Sequence, residues 1–392
     1  IPGKSLDLSL LPDNNEGGNY IENPAKVTGN NSFTHQPSQH DWYETVKLNY
    51  GVEYHKGYNI HFSPIPDTWH KMKDILLFWA GKKVDAFRCD MAEMVPLEFW
   101  KWVIPIVKAD YPDILFIAEI YNKDAYREFL SDDAFDYLYD KVGLYDVMRD
   151  VASGHRPSSD ITFTLSQVGD IQSKMLNFLE NHDEQRIASE FFLGDARKGL
   201  AAMIMTACVN TNPIMVYFGQ ELGERGMDEE GFSGKDGRTT IFDYWSIDKI
   251  VRWNNSEKWN SDKLSDDELI LKNKYTALLQ LCNKEKAFSE GDFYDLMHAN
   301  FDNMEFDSTR KYAFLRGDQE SLFLVVVNFN SIDSAVKVHI PDHAYDFLKT
   351  ERDVKRHATP MLNTDKATIT TNDSSFFEVE IEAYSGEIYK LH

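Results

Sequence analysis

Three apolar runs in this chain each finish on acidic residues, and helix-length sequence lies between them. They are VDAFRCD at 84–90, LFIAE at 115–119 and MLNFLENHD at 175–183. Runs of this length, rich in Val, Ile, Leu and Phe, read as buried strands of a parallel sheet. Strand side chains alternate, so Arg88 and Asp90 share one face while Phe87 and Cys89 point to the other. Charge at the end of a buried strand is costly unless it has a task. Repeated strand and helix units build a parallel sheet, and carboxylates at several strand ends describe the carboxyl rim of a barrel, where active sites are assembled.

The segments around these runs fit the same scheme. PDTWHKMKDILLFWAGKK places proline in the first turn of a helix, repeats Trp69, Met72, Leu76 and Trp79 at steps of three and four, and stops at Gly81. A second helix opens at Pro96 and carries Trp100, Val103 and Val107. Further strands are expected at 135–140, 175–180 and 214–218, and a last long helix at about 265–288. Beyond it, YAFLRG, SLFLVVVNF, SAVKVHI and SSFFEVEIEAYSGEIYKL alternate with short turns. They predict an antiparallel β-sandwich over 290–392. Residues 1–62 are polar and irregular, with NNEGGN and TGNNSF as turn signals.

FRCD, IAEI and ENHD resemble three of the conserved regions of the alpha-amylase family, glycoside hydrolase family 13. PIMVYFGQELG at 213–223 is similar to the family's last barrel strand and the turn after it, and WYETVKLNYG at 42–51 to the end of its inserted loop domain. The resemblance implies a (β/α)8 TIM-type barrel of class α/β. Only strands 4 to 8 are evident here: a loop domain at 1–62, the carboxyl-terminal part of the catalytic barrel at 63–289 and the sandwich at 290–392. Five strands cannot close a barrel that needs eight. Upstream sequence or strands from a partner are therefore expected.

What the resemblance implies chemically is a retaining alpha-glucan hydrolase acting on starch, maltodextrin or oligosaccharides. Asp90 would be the nucleophile and Glu119 the general acid/base. Asp183, with His182 beside it, would bond sugar hydroxyls in the distorted transition state. Arg88 supplies a positive charge next to the nucleophile, and Arg186 is expected either at a neighbouring subsite or on the surface. Glu93 and Met94 stand where many amylases carry Lys and His on the leaving-group side. The alternatives are a transglycosylase or isomerase of the same family, and a non-catalytic glucan-binding relic.

Composition narrows the partners. With 41 Lys and Arg against 64 Asp and Glu, the formal charge is −23. That repels nucleic acid and anionic lipid and suits a neutral sugar. No apolar run reaches the roughly 18–20 residues a bilayer span needs. Cys89, Cys208 and Cys282 form no CxxC and sit in apolar surroundings, so buried free thiols are expected. The 12 histidines show no HExxH, which argues against a catalytic zinc. The chemistry requires no cofactor, and the family admits a structural calcium. Compartment is undetermined; a polysaccharide substrate points outside the cytoplasm.

Overall fold

In the computed structural model, which describes residues 41–392 except 43–44, 54–57, 212, 228–234, 240–245, 319, 352–354 and 372–374, the chain divides into two units, 1–137 and 138–392. Most of the expected loop domain lies outside the described residues. Of its end, β1 (Val52–Glu53) and β2 (Asn59–Ile60) form a short antiparallel ladder.

In the first unit Pro66 stands just before helix α1 (Asp67–Ala80) and Gly81 just after it, as the sequence predicts. Trp69 is buried and packs edge-on against Phe99, with ring centroids 5.6 Å apart. Phe99 belongs to α2 (Leu97–Asp110), which also buries Trp100, Val103, Ile104 and Val107. The rest of the α1 stripe behaves differently: Met72 and Leu76 are half-buried and Trp79 is 51% exposed. Periodicity predicts which residues share a helix face, while only a neighbour decides whether that face is covered.

Strands β3 (Ala86–Cys89) and β4 (Leu115–Ala118) run parallel, with Cys89 opposite Ala118. Asp90 and Glu119, each the next residue, therefore emerge level. The Glu119 amide donates to the Cys89 carbonyl at 3.1 Å and holds that register one residue further. Asp136 closes the unit, since its carboxylate accepts the Phe116 amide at 2.8 Å and Lys108 Nζ at 2.6 Å.

The second unit carries β5 (Tyr137–Tyr139), which starts at the unit boundary, with β6 (Met175–Phe178) and β7 (Ile214–Met215). They are parallel, pairing Leu138 with Met175 and Asn177 with Ile214. The helix Leu200–Cys208 is buried on every side, because it packs on β6 and on strands from the end of the chain. The helix Asp266–Lys284 opens with a capping box in which Ser265 and Glu268 bond each other's backbone amides.

The carboxyl-terminal strands are β8 (Asp292–Asp295), β9 (Lys311–Gly317), β10 (Leu322–Asn328), β11 (Ser334–His339), β12 (Arg356–Pro360), β13 (Ile369–Thr371), β14 (Phe376–Ile381) and β15 (Ser385–Leu391). Six form one antiparallel sheet in the order β13-β12-β15-β10-β9-β8, while β11 pairs with β14. Strand structure begins at Asp292, and one apolar core cluster holds side chains from Leu144 to Leu391. Arg316 of β9 is 1% exposed. Its guanidinium donates to the carbonyls of Ala287, Phe288, Gly291 and Cys208 at 2.8–3.2 Å. Burial pulls its pKa down to about 10. The architecture is a partial TIM-type barrel with a carboxyl-terminal β-domain.

Candidate active site

The first unit assembles its charged groups around Arg88. The guanidinium pairs through Nη1 with Asp90 Oδ1, and through Nη2 with Glu119 Oε1 at 2.9 Å. One arginine on the strand face predicted for it thus reaches both strand-end carboxylates. The two acids differ in access: the Asp90 side chain is 74% exposed and Glu119 3%. Glu119 is also held by its own chain. Its Oε1 accepts the Tyr121 hydroxyl at 2.9 Å, and its Oε2 accepts the Met91 amide at 2.9 Å. Met91 reaches that position with φ at 45°. A non-glycine residue in the left-handed region is a departure of the kind that clusters at functional sites.

Glu93 sits on the short 3-10 turn Ala92–Met94, with Met94 half-buried beside it. Its Oε2 accepts the amides of Tyr121 at 3.2 Å and Asn122 at 2.9 Å. Glu93, expected to bind substrate, holds the exit of β4. Tyr121 escaped the sequence reading, although it lies two residues after Glu119, the spacing that puts side chains on one face.

His182 and Asp183 belong to the second unit, where His182 Nε2 lies 3.1 Å from Asp183 Oδ2. Asn181 Oδ1 accepts the amides of Asp183 and Glu184 at 2.8 and 2.9 Å and tightens the turn. Glu184 in turn accepts the Tyr145 hydroxyl at 3.0 Å and pairs with Lys141 Nζ at 3.1 Å. Burial pulls the Lys141 amine down, but Asp146 and Glu184 together outweigh it and raise its pKa.

Arg186 requires a correction. It is fully buried, neither on the surface nor open to a sugar subsite. Its Nη1 pairs with Glu180 Oε2 at 2.7 Å, Nε donates to Thr239 Oγ1 at 3.1 Å, and Nη2 donates to the Phe218 carbonyl at 3.0 Å. Tyr217 covers the guanidinium plane, its ring centroid 4.3 Å away. Spacing along a tight turn does not say which side chains fold inward, and here the interior takes the arginine. Burial pushes the Glu180 carboxyl up, against the opposing pull of Arg186.

Cys89, Cys208 and Cys282 are free and buried, as expected. Among the described residues no group of three or more His, Cys, Asp and Glu side chains could hold a metal ion. No helix among the described residues is long and apolar enough to cross a membrane.

Comparison with known proteins bears on the family and the fold. A family model for the alpha-amylase catalytic domain matches residues 57–273. An alpha-1,4-glucan:maltose-1-phosphate maltosyltransferase from Cereibacter sphaeroides is 32% identical over 93 residues, 22% of this chain and 16% of the relative. Neopullulanase 2 from Thermoactinomyces vulgaris is 27% identical over 166 residues, 41% of this chain and 28% of the relative. The chain thus spans less than a third of the length of either relative. Among solved structures, an alpha-amylase from Geobacillus thermoleovorans complexed with acarbose superposes with a TM-score of 0.60 at 18% identity, covering 86% of this chain and 66% of that one. A cyclomaltodextrinase gives 0.63 at 18% identity, covering 85% and 50%. These two likenesses speak for the fold.

Proposed function

Because this chain belongs to the alpha-amylase family, we propose that it acts on alpha-glucosidic bonds of starch, maltodextrin or their oligosaccharides by double displacement. The observation that carries this reading is the level emergence of Asp90 and Glu119 from adjacent parallel strands, with Arg88 ion-paired to both. Asp90, the open carboxylate, attacks the anomeric carbon. Glu119 gives its proton to the departing oxygen, so that the glycosidic bond breaks as the glycosyl ester forms. Glu119 then takes a proton from water, which displaces Asp90. Two inversions return the alpha configuration. Asp183 and His182 bind sugar hydroxyls, and the chemistry needs no cofactor.

Transfer to a second sugar instead of water uses the same acids. The maltosyltransferase relative is the observation that favours it as the second reading. Incubation with maltoheptaose, with and without an acceptor sugar, followed by proton NMR of the first-formed product, tests both. Alpha product appearing as reducing sugar supports hydrolysis, and longer chains in the presence of acceptor support transfer. A beta first product, or turnover equal to that of the Asp90→Asn variant, removes the proposal.

A further inference from the structure

Glu119 is oriented by a chain of contacts that starts one strand away. We infer that Tyr121 and Glu93 are positioning residues for the acid step, an inference that rests on Glu119 being the proton donor. The contacts run in order. Glu93, in the turn after β3, anchors the amides of Tyr121 and Asn122 through a single oxygen. That anchor fixes the backbone just past β4 and aims the Tyr121 hydroxyl at Glu119 Oε1. The Met91 amide, from the same turn as Glu93, holds Oε2. Both oxygens of Glu119 are therefore set by the turn after β3, one directly and one through Tyr121.

The geometry matters because a general acid works only where its proton meets the leaving oxygen along the bond that breaks. The Glu119 side chain rotates about three torsions, and burial alone does not choose among their rotamers. Two donors on separate oxygens do. Arg88 also pairs with Oε1, but it is shared with Asp90. Tyr121 is a side-chain contact of Glu119 that does not involve the nucleophile, so its loss should weaken proton donation selectively.

That selectivity gives the test. Alpha-maltosyl fluoride expels fluoride, a leaving group that departs as an anion and needs no proton, while maltoheptaose needs one. In Tyr121→Phe, kcat/KM on maltoheptaose, which reports only the steps up to leaving-group departure, should fall roughly 10- to 100-fold, and the loss of kcat/KM on the fluoride should be at least about tenfold smaller. Glu93→Ala should reproduce the pattern. Glu93→Gln, which keeps an acceptor for the two amides, should restore most of kcat/KM on maltoheptaose. Equal losses on both substrates, or no loss on maltoheptaose, overturn the inference.

The parent reading fails separately. If Glu119→Gln does not discriminate between the two substrates, Glu119 is not the acid. Hydrogen exchange supplies an arm that needs no turnover. Glu93→Ala should deprotect the amides of Tyr121 and Asn122 while Glu93→Gln keeps them slow, and unchanged protection in Glu93→Ala overturns the anchoring role whatever the activity.

Discussion

Two arginines near strand ends do opposite work in this molecule. Arg88 pairs with Asp90 and Glu119 where one carboxylate is largely open to solvent, whereas Arg186 pairs with Glu180 where neither side chain is more than 2% exposed. Both are arginine–carboxylate contacts beside buried strands, and in sequence they look alike. The difference lies in what surrounds the pair. Arg186 spends its nitrogens on Glu180, Thr239 and the Phe218 carbonyl and stacks on Tyr217, so it is satisfied and enclosed. A buried charge in that condition specifies a conformation and is costly to disturb, while a pair with an open carboxylate can exchange a partner for a substrate. Charge near a strand end therefore identifies chemistry only when access is known.

The contrast can be broken most forcefully at the open pair. Asp90→Asn and Glu119→Gln should each cut kcat on maltoheptaose by about 10²–10⁴-fold or more. Because Asp90 is exposed, its substitution should change unfolding free energy by less than about 1 kcal/mol. Urea titration beside the kinetics checks both halves. Near-normal turnover in either variant sinks the assignment of the open pair to catalysis.

At the enclosed pair the expected effect moves from turnover to stability. Arg186→Met leaves Glu180 buried without its cation and should cost about 3–5 kcal/mol. Adding Glu180→Gln to it should return a large part of that loss. If the single variant unfolds at the parent's urea concentration, the pair is not the anchor its burial indicates.

A finer comparison uses pH. The Glu180 carboxyl is raised in the folded state by burial, from an ordinary value of 4.5. Folded protein therefore keeps this proton at pH values where the unfolded chain has lost it. Its contribution is complete below about 4.5 and disappears as pH rises through the folded value. The stability of the parent minus that of Glu180→Gln should consequently decline as pH increases upward from 4.5. Parallel curves would show that Glu180 titrates as it does in the unfolded chain.

Much of the framework was legible because the relevant signals are local. The helix between Pro66 and Gly81, the strands ending at Asp90 and Glu119, and the switch to antiparallel strands near 290 all follow from periodicity and turn residues. The misreadings share one cause. Trp79 was expected in the α1 stripe and is half exposed, and Arg186 was expected to face sugar or solvent and is sealed. Both depend on which distant residues lie alongside, and spacing carries no such information. Tyr121 is intermediate: its face was readable from alternation, but its hydrogen bond to Glu119 requires the turn at Met91 and Glu93 that fixes the acid.

Arg316 carries a consequence for how the second unit comes apart. Its cation is solvated by backbone carbonyls of residues 208, 287, 288 and 291, so the β-domain strand that bears it supplies the missing donors for the ends of barrel helices. Pulling the β-domain away would break these bonds together and expose the apolar surface that its strands share with the helices, with only water to replace both. The half-detached state loses this burial without regaining the chain entropy that full unfolding releases, so it should be scarcely populated. The carboxyl-terminal strands and the barrel helices beneath them should melt as one cooperative block, an architectural module without being a thermodynamic one.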